Sequence, residues 1–216
     1  MYLPTHFEEA RTDVLRALIA EYPLGMLVTL GAEGLDANHI PFLFEPRAHE
    51  QGALIGHVAR NNPVWHDRDE SVEALVVFRG PAAYISPTWY PTKQETHEVV
   101  PTYNYAVVHV HGNLIVHEDA KWLRGVVGRL TKTFEANQAT PWKMADTPAM
   151  YLESQLKNIV GIEIPINRIT GKWKVSQNRV AADRAGAAAG LRASGTPDDV
   201  EIAALISSGM TNRKEP

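Results

Sequence analysis

Apolar and polar residues alternate most clearly over residues 105–117, YAVVHVHGNLIVH. Most even positions carry apolar side chains, whereas Tyr105, His109, His111 and His117 share the odd positions. Side chains two residues apart lie on the same face of a strand. The pattern therefore predicts one long strand with an inward apolar face and a polar face that meets a ligand or a partner.

Shorter apolar runs bounded by turn residues predict further strands over residues 26–30, 35–44, 53–58, 72–78, 82–86, 159–166 and 171–176. The first two are separated by the glycine-rich residues 31–34 and are expected to form a hairpin. Pro41 lies in the second run and favours a bend or a sheet edge, because proline cannot donate to the ladder. The middle of the chain is therefore predicted to be rich in short strands.

Helical spacing of apolar residues marks the beginning, the middle and the end of the chain. The opening helix is predicted over residues 5–22, with Thr5 as its N-cap and Pro23 beyond its end. Asp119 is placed near the N-terminus of a second helix, where a carboxylate complements the helix dipole. This second helix is predicted over residues 119–136. Further helices are predicted over residues 148–158, 181–194 and 197–208.

These elements predict a β-rich α+β fold, an antiparallel barrel with peripheral helices and a helical C-terminal part. A regular alternation of strand and helix, which a parallel sheet requires, is missing. No GxGxxG motif follows a predicted strand and no GxxxxGK[ST] motif occurs, which argues against a Rossmann or Walker nucleotide site.

The composition narrows the function classes. The chain has 216 residues, a formal net charge of −4 and no cysteine, so disulfides, thiolate metal sites and a cysteine nucleophile are excluded. We expect a cytoplasmic protein, because no signal peptide and no apolar run of the ~20 residues that a membrane helix needs are found. The acidic balance argues against bulk electrostatic binding of nucleic acid.

The stretch GHVARNNPVW, residues 56–65, joins a basic residue to several amides at the end of a predicted strand. Arg60 can hold a phosphate with two parallel hydrogen bonds, and the free N–H groups of the turn can add neutral donors. Asn62-Pro63 favours the start of a helical turn. The alternative is a solvated loop in which Arg60 forms a surface ion pair.

Aromatic residues are interleaved with prolines over residues 84–112, which suits a planar ligand, a subunit interface or ordinary core packing. His109 and His111 can act as metal ligands, but the next carboxylate, Glu118, comes too late for a cupin-like site. Histidines at a dimer seam or in a polar layer are the alternative.

The stretch GKWKVSQNR, residues 171–179, predicts either an anion site or a wet strand edge. Alternation places Lys172, Lys174 and Ser176 on one side, before the polar run that ends at Arg179. No serine triad with a nucleophile elbow and no paired carboxylates stand out, so no catalytic residue is assigned.

Taken together and in order, these segments resemble the PaiB-type FMN-binding negative transcriptional regulators. The resemblance extends from MYLPTHF through GHVARNNPVW, GPAAYISPTWY, VPTYNYAVVHVHG and IVGIEI to GKWKVSQNR. The family usually has tryptophan where this chain has Tyr103, which keeps an aromatic side chain. The resemblance implies a split barrel like that of pyridoxamine phosphate oxidase over residues 1–180, followed by a helical extension over residues 181–216.

The resemblance also implies a homodimer with FMN at the subunit interface. It places the phosphate near Arg60 and Asn61 with His57 close by, and the ring against Asn38 and His39. The ring would also meet the segment that contains Thr102, Tyr103 and Asn104. The site would be closed, from the same or the other subunit, by Lys174, Ser176 and Gln177.

Three function classes stay open. The resemblance implies a flavin-binding regulator that represses genes, and the alternatives are a flavin-dependent oxidoreductase and a haem-binding relative. In the last of these, His109, His111 or His117 would be the axial ligand. Direct DNA contact has no support in the sequence, because no basic recognition helix is found and the only basic stretches are residues 172–179 and 212–214.

Overall fold

The structure is a computed structural model that describes residues 1–208. Its strands are β1 (Glu8–Glu9), β2 (Leu24–Gly31), β3 (Gly34–Pro41), β4 (Leu43–Glu45), β5 (Ala53–Ala59), β6 (Ala74–Ile85), β7 (Thr102–Gly112), β8 (Ile115–His117), β9 (Ile159–Pro165) and β10 (Arg168–Lys174). Its α-helices are α1 (Thr12–Glu21), α2 (Lys93–Thr96), α3 (Ala120–Phe134), α4 (Ala149–Leu156), α5 (Ala181–Ser194) and α6 (Pro197–Ser207). The basic residues 212–214 lie outside the described residues.

The strands form a six-stranded sheet with the order β1-β10-β7-β6-β2-β3 and a four-stranded sheet with the order β4-β5-β9-β8. The predicted hairpin is confirmed, since β2 and β3 pair antiparallel from Leu24↔Pro41 to Gly31↔Gly34. Gly34 has a φ of +110°, a conformation that favours glycine at the turn. Within residues 1–208, no helix has the length and apolar character needed to cross a bilayer.

The chain divides into two compact units. One consists of Met1–Leu15, Arg79–Val108 and the chain from Thr170 onward. In its core, Ile85 and Tyr90 pack with Leu191 of α5 and Ile202 of α6. The side chain of Thr196 caps α6, after Gly195 ends α5 with a φ of 75°. The predicted domain boundary at residue 180 stays a prediction.

The other unit consists of Arg16–Phe78 and His109–Ile169. Helix α3 covers its four-stranded sheet, and Val126 and Leu130 pack on Ile55 of β5. The predicted role of Asp119 is confirmed, because its Oδ1 accepts the backbone N–H of Trp122 at 2.8 Å. This capped helix and the sheet beneath it hold the strand end that carries Arg60.

The predicted single strand over residues 105–117 is wrong. It ends at Gly112, and the chain continues in β8 of the other sheet. A Cβ on Gly112 would lie 1.9 Å from the carbonyl oxygen of Pro165, so only glycine allows this close approach. His117 therefore does not share a strand face with His109 and His111.

Three other element predictions are corrected. The opening helix begins at Thr12, because residues 8–9 pair with β10 and this long-range pairing overrides the local helical spacing. The run 35–44 breaks after Pro41 into β3 and β4. The runs 72–78 and 82–86 form one strand, β6. Only residues 75–77 of this strand pair with β2, so Pro81 removes no hydrogen bond from that ladder.

Candidate functional site

A hydrogen-bonded group surrounds Lys174, the last residue of β10. Its Nζ donates to the carbonyl oxygen of Tyr103 at 2.6 Å and to Oγ1 of Thr102, at the beginning of β7. Desolvation by burial lowers the pKa of the Lys174 ammonium, and the positive charges of Lys172 and Arg179 lower it further. The structure thus holds a partly buried cation beside the backbone of an aromatic residue.

Two buried polar side chains continue this group. Nδ2 of Asn104 donates to Oγ of Ser176 at 2.8 Å, and both residues are buried. Ser176 has a φ of 64°, an uncommon conformation for a residue other than glycine, asparagine or aspartate. The Gln177 side chain closes the turn, since its Oε1 accepts from the N–H of Val175 at 2.8 Å and its Nε2 donates to the carbonyl of Trp173.

Aromatic side chains border the group. Tyr84 and Tyr103 pack edge to face with ring centroids 5.9 Å apart, and both are about half exposed. Tyr90 is 2% exposed, and its hydroxyl has no well-formed hydrogen bond. The guanidinium of Arg179 lies over the Tyr90 ring, 5.0 Å from its centroid. The group therefore offers flat aromatic surface and a cation.

Arg60 occupies the end of β5, where the sequence predicts it. Its Nε donates to the carbonyl of Lys157 at 2.8 Å and its Nη2 to that of Ile159 at 3.2 Å. Its Nη1 pairs with Oε1 of Glu118 at 2.6 Å. The surface ion pair considered as the alternative is thus present, and phosphate binding by Arg60 stays a prediction.

A cavity of about 560 Å³ opens beside Arg60. Arg124 and Lys157 add positive charge to its lining, which also includes the carboxylates of Glu118 and Glu153. Leu123 and Leu156 add apolar surface. An anionic group that entered this cavity would compete with Glu118 for the Nη1 donor of Arg60.

Among the amides next to Arg60, Asn62 makes a contact that the sequence did not predict. Asn62, which was assigned only the turn, donates from Nδ2 to Oδ1 of Asn38 at 2.7 Å, and its own Oδ1 accepts the N–H of Val64. Asn61 and His39 are exposed. The Asn-Pro step was the sequence signal for Asn62, because asparagine before proline commonly caps a short helix.

The eleven predicted site residues form two groups, one within each compact unit. Asn38, His39, His57, Arg60 and Asn61 belong to one unit, and Thr102, Tyr103, Asn104, Lys174, Ser176 and Gln177 belong to the other. The second group is joined by direct hydrogen bonds and the Ser176–Gln177 turn.

Sequence reasoning missed a carboxylate that bridges two histidines. Oε2 of Glu163 lies 2.7 Å from Nε2 of His117, and its Oε1 lies 3.0 Å from Nε2 of His49. The His117 ring stacks on Trp122 with centroids 3.9 Å apart. No sequence signal pointed to this contact, because it depends on the break at Gly112. Among residues 1–208, no cluster of three or more histidine, aspartate or glutamate side chains has metal-site geometry.

His57 supplies a testable pH dependence. Its Nδ1 is buried without a hydrogen-bond partner, and burial lowers its pKa below the ordinary 6.5. As the pH falls below about 6.5, the unfolded chain binds a proton that the native His57 resists, so stability falls. We expect His57→Gln to reduce this loss of stability between pH 7.5 and 5.5, measured by urea unfolding.

Burial also lowers the pKa of His109 and His111, so part of the pH dependence will persist in the His57→Gln variant. Replacement of the exposed His66 controls for the loss of an imidazole at the surface. An unchanged pH slope in His57→Gln would show that His57 is not neutral in the folded protein.

Comparison with known proteins identifies the class to which this fold and site belong. The family described as "Putative FMN-binding domain" matches residues 1–168. The chain belongs to this FMN-binding family, and the predicted cofactor, FMN, is confirmed at that level. Lys174, Ser176 and Gln177 lie beyond the matched residues.

Two relatives and one solved structure extend the comparison. The chain is 33% identical to an uncharacterized protein of Emericella nidulans, over 95% of this chain and 96% of that protein. It is 31% identical to the "Protease synthase and sporulation protein PAI 2" of Bacillus subtilis, with the same coverage. The solved FAD and haem binding protein from Mycobacterium smegmatis is similar in fold, with a TM-score of 0.56 and 16% identity over 77% of this chain and 73% of that one. The predicted resemblance and fold class are confirmed.

Proposed function

We propose that this protein is an FMN-binding homodimer that acts as a negative regulator of transcription in the cytoplasm. The observation that carries the proposal is the match to the FMN-binding family over residues 1–168. Support for regulation comes from the similarity to the Bacillus subtilis protein, whose name refers to protease synthesis and sporulation. The acidic net charge favours action through another regulator over direct DNA contact.

Each compact unit, taken by itself, offers residues that fit one chemical part of FMN. Arg60 and the other two cations of its cavity, Arg124 and Lys157, suit the phosphate, with Asn61 and His57 nearby in sequence. The aromatic pair, with Lys174 and Asn104, suits the ring, because tyrosines give flat apolar surface and the polar groups fix orientation. Bound FMN supplies a planar ring that accepts electrons. The chain's own groups bind and orient that ring.

Support for a homodimer comes from exposed surface. Tyr84 and Tyr103 are about half exposed, Leu35 is 79% exposed, and β3, which carries Leu35, lies at the edge of its sheet. Exposed aromatic surface is enriched where subunits meet. Light scattering is expected to give the mass of two chains. The mass of a single chain at micromolar concentration would reject the dimer and leave FMN binding to be judged separately.

Regulation is tested in the source organism. Deleting the gene is expected to raise a defined set of transcripts, and restoring it is expected to lower them again. Restoring Arg60→Ala is expected to repress less than the wild type, because flavin binding is then impaired. An unchanged transcript profile after deletion would contradict a regulatory role.

The oxidoreductase alternative is separated by a turnover measurement. The protein loaded with FMN is mixed with NADH or NADPH under air, and nicotinamide absorbance is followed. We expect no oxidation above that caused by free FMN. Steady turnover would instead establish a flavin-dependent oxidoreductase.

A haem-binding role is the second alternative. It has one specific observation in its favour, the similarity in fold to the FAD and haem binding protein. Burial lowers the pKa of His109 and His111, which leaves neutral imidazoles of the kind that ligate iron. A Soret band that appears on adding haem to the wild type, and is absent when both His109 and His111 are replaced by alanine, would support this role.

A further inference from the structure

Three cations are concentrated at the end of β10 and in the turn that follows it: Lys172, Lys174 and Arg179, here called the β10 cation cluster. The like charges of Lys172 and Arg179 act on Lys174. Lys172 is only 7% exposed, and its Nζ donates to the carbonyl of Tyr2 at 3.1 Å. Three positive charges, one of them buried and two partly buried, therefore lie within electrostatic reach of one another.

The contacts of the β10 cation cluster are mostly with neutral groups. The Lys172 ammonium lies 5.6 and 5.4 Å from the ring centroids of Tyr2 and Tyr105. Lys174 donates to a hydroxyl and a carbonyl, as described above. The buried carboxylate of Asp183 accepts from the N–H and the hydroxyl of Thr92. Lys172 lies directly opposite Glu8 of β1. The hydroxyl and the carbonyl that Lys174 contacts bring it no full negative charge, so an added anion beside Lys174 would be stabilised.

The surroundings indicate the kind of anion. A localised charge such as that of a phosphate is held best by converging hydrogen-bond donors, for example the two parallel donors of a guanidinium. Lys174 instead contacts the backbone of Tyr103, whose exposed ring packs against that of Tyr84. Aromatic rings stack on planar ligands, so this arrangement suits a flat ligand whose negative charge is spread over a ring.

We propose that the β10 cation cluster binds the flavin ring more tightly in its reduced, anionic form, so that the affinity for FMN depends on redox state. The inference rests on the proposed function and specifies how its site is regulated. The oxidised ring is neutral. It takes up two electrons from a reductant such as dithionite and one proton from water at N5, and the negative charge is then shared by N1 and the adjacent carbonyl. Charge placed near this part of a flavin tunes its potential.

Thermodynamic linkage gives the measurable consequence. A protein that binds the reduced form tenfold more tightly than the oxidised form raises the two-electron potential by about 30 mV. Bound FMN is therefore expected to have a potential at least about 30 mV above that of free FMN. Removing one of the three positive charges should lose a large part of this increase.

The test is the reduction potential of bound FMN, measured with dithionite and a reference dye under anaerobic conditions. Lys174→Gln is expected to lower the potential by about 30 mV, which is a tenfold change in the ratio of the two affinities. Lys174→Arg retains the charge and should largely restore it. Lys121→Gln removes an exposed lysine outside the cluster and serves as the matched control for net charge.

Arg179→Gln provides an independent test if Lys174→Gln unfolds, and it should lower the potential in the same direction. An unchanged potential in a folded variant of the cluster would overturn the inference. This includes a variant that loses affinity for oxidised and reduced FMN equally. The proposed function would still stand. Absence of FMN binding in the wild type, oxidised or reduced, would overturn both.

Discussion

Replacing Gly186 by alanine is expected to lower the free energy of unfolding by about 3 kcal/mol. A Cβ at this position would lie 2.0 Å from the carbonyl oxygen of Trp89 and 3.2 Å from Cδ of Pro91. Because the nearest atom belongs to the backbone, no rotamer change can relieve the overlap. Helix α5 must move away from the segment on which it packs, and the core around Tyr90 opens.

Gly125→Ala in α3 is the matched control. A Cβ there has nothing within 4 Å, so alanine should stabilise the helix by up to about 1 kcal/mol. Both variants are measured by urea unfolding with far-UV circular dichroism. A Gly186→Ala protein as stable as the wild type would contradict the packing of α5 on Trp89.

A double-variant comparison refines this test. A Cβ on Gly190 would lie 2.3–2.5 Å from ring carbons of Trp89 and not from its backbone. Combining Trp89→Ala with Gly190→Ala should therefore destabilise less than the sum of the single changes. Combining Trp89→Ala with Gly186→Ala should be close to additive, because the carbonyl oxygen remains.

Arg60→Ala is expected to weaken FMN binding at least tenfold, because a charge-assisted hydrogen bond contributes about 1.5–3 kcal/mol. The informative comparison is Glu118→Gln. Glu118 now occupies Nη1 of Arg60 at 2.6 Å, so removing its charge should release that donor for the phosphate and tighten FMN binding.

Flavin fluorescence titration at a temperature well below unfolding measures both affinities. Stability must be followed in parallel, since Arg60→Ala also leaves the carbonyls of Lys157 and Ile159 without their donor. Riboflavin, which lacks the phosphate, should bind both variants and the wild type alike. If FMN binds Arg60→Ala and Glu118→Gln with wild-type affinity, Arg60 serves only to hold the turn before β9.

Local signals explain which elements were predictable. The β2–β3 hairpin follows from a glycine-rich turn between apolar runs, and the Asp119 and Asn62 caps follow from residue type and position. The break at Gly112 was not predictable, because it depends on the close approach of Pro165, far along the chain. Because of the same break, His117 lies in β8 and contacts Glu163, and no local pattern predicts this contact.

The candidate site also has a part that local sequence patterns predict and a part that they do not. Alternation predicted Lys172 and Lys174 on one strand, two residues apart, and both lie in β10. The partners of Arg60 could not be predicted from local patterns, since its carbonyl acceptors lie 97 and 99 residues away. Tertiary contacts of this kind decide whether an arginine is available to a ligand, and spacing alone does not record them.

Retention of FMN by the purified protein tests the central claim most directly. The protein is mixed with excess FMN, passed through a gel-filtration column and measured for flavin absorbance across the protein peak. We predict flavin bands that elute with the protein in proportion to its concentration. The same bands should be weaker for Arg60→Ala. Elution of all FMN with the small molecules, from folded protein and at the highest concentration tested, would contradict the assignment of a flavin site to this chain.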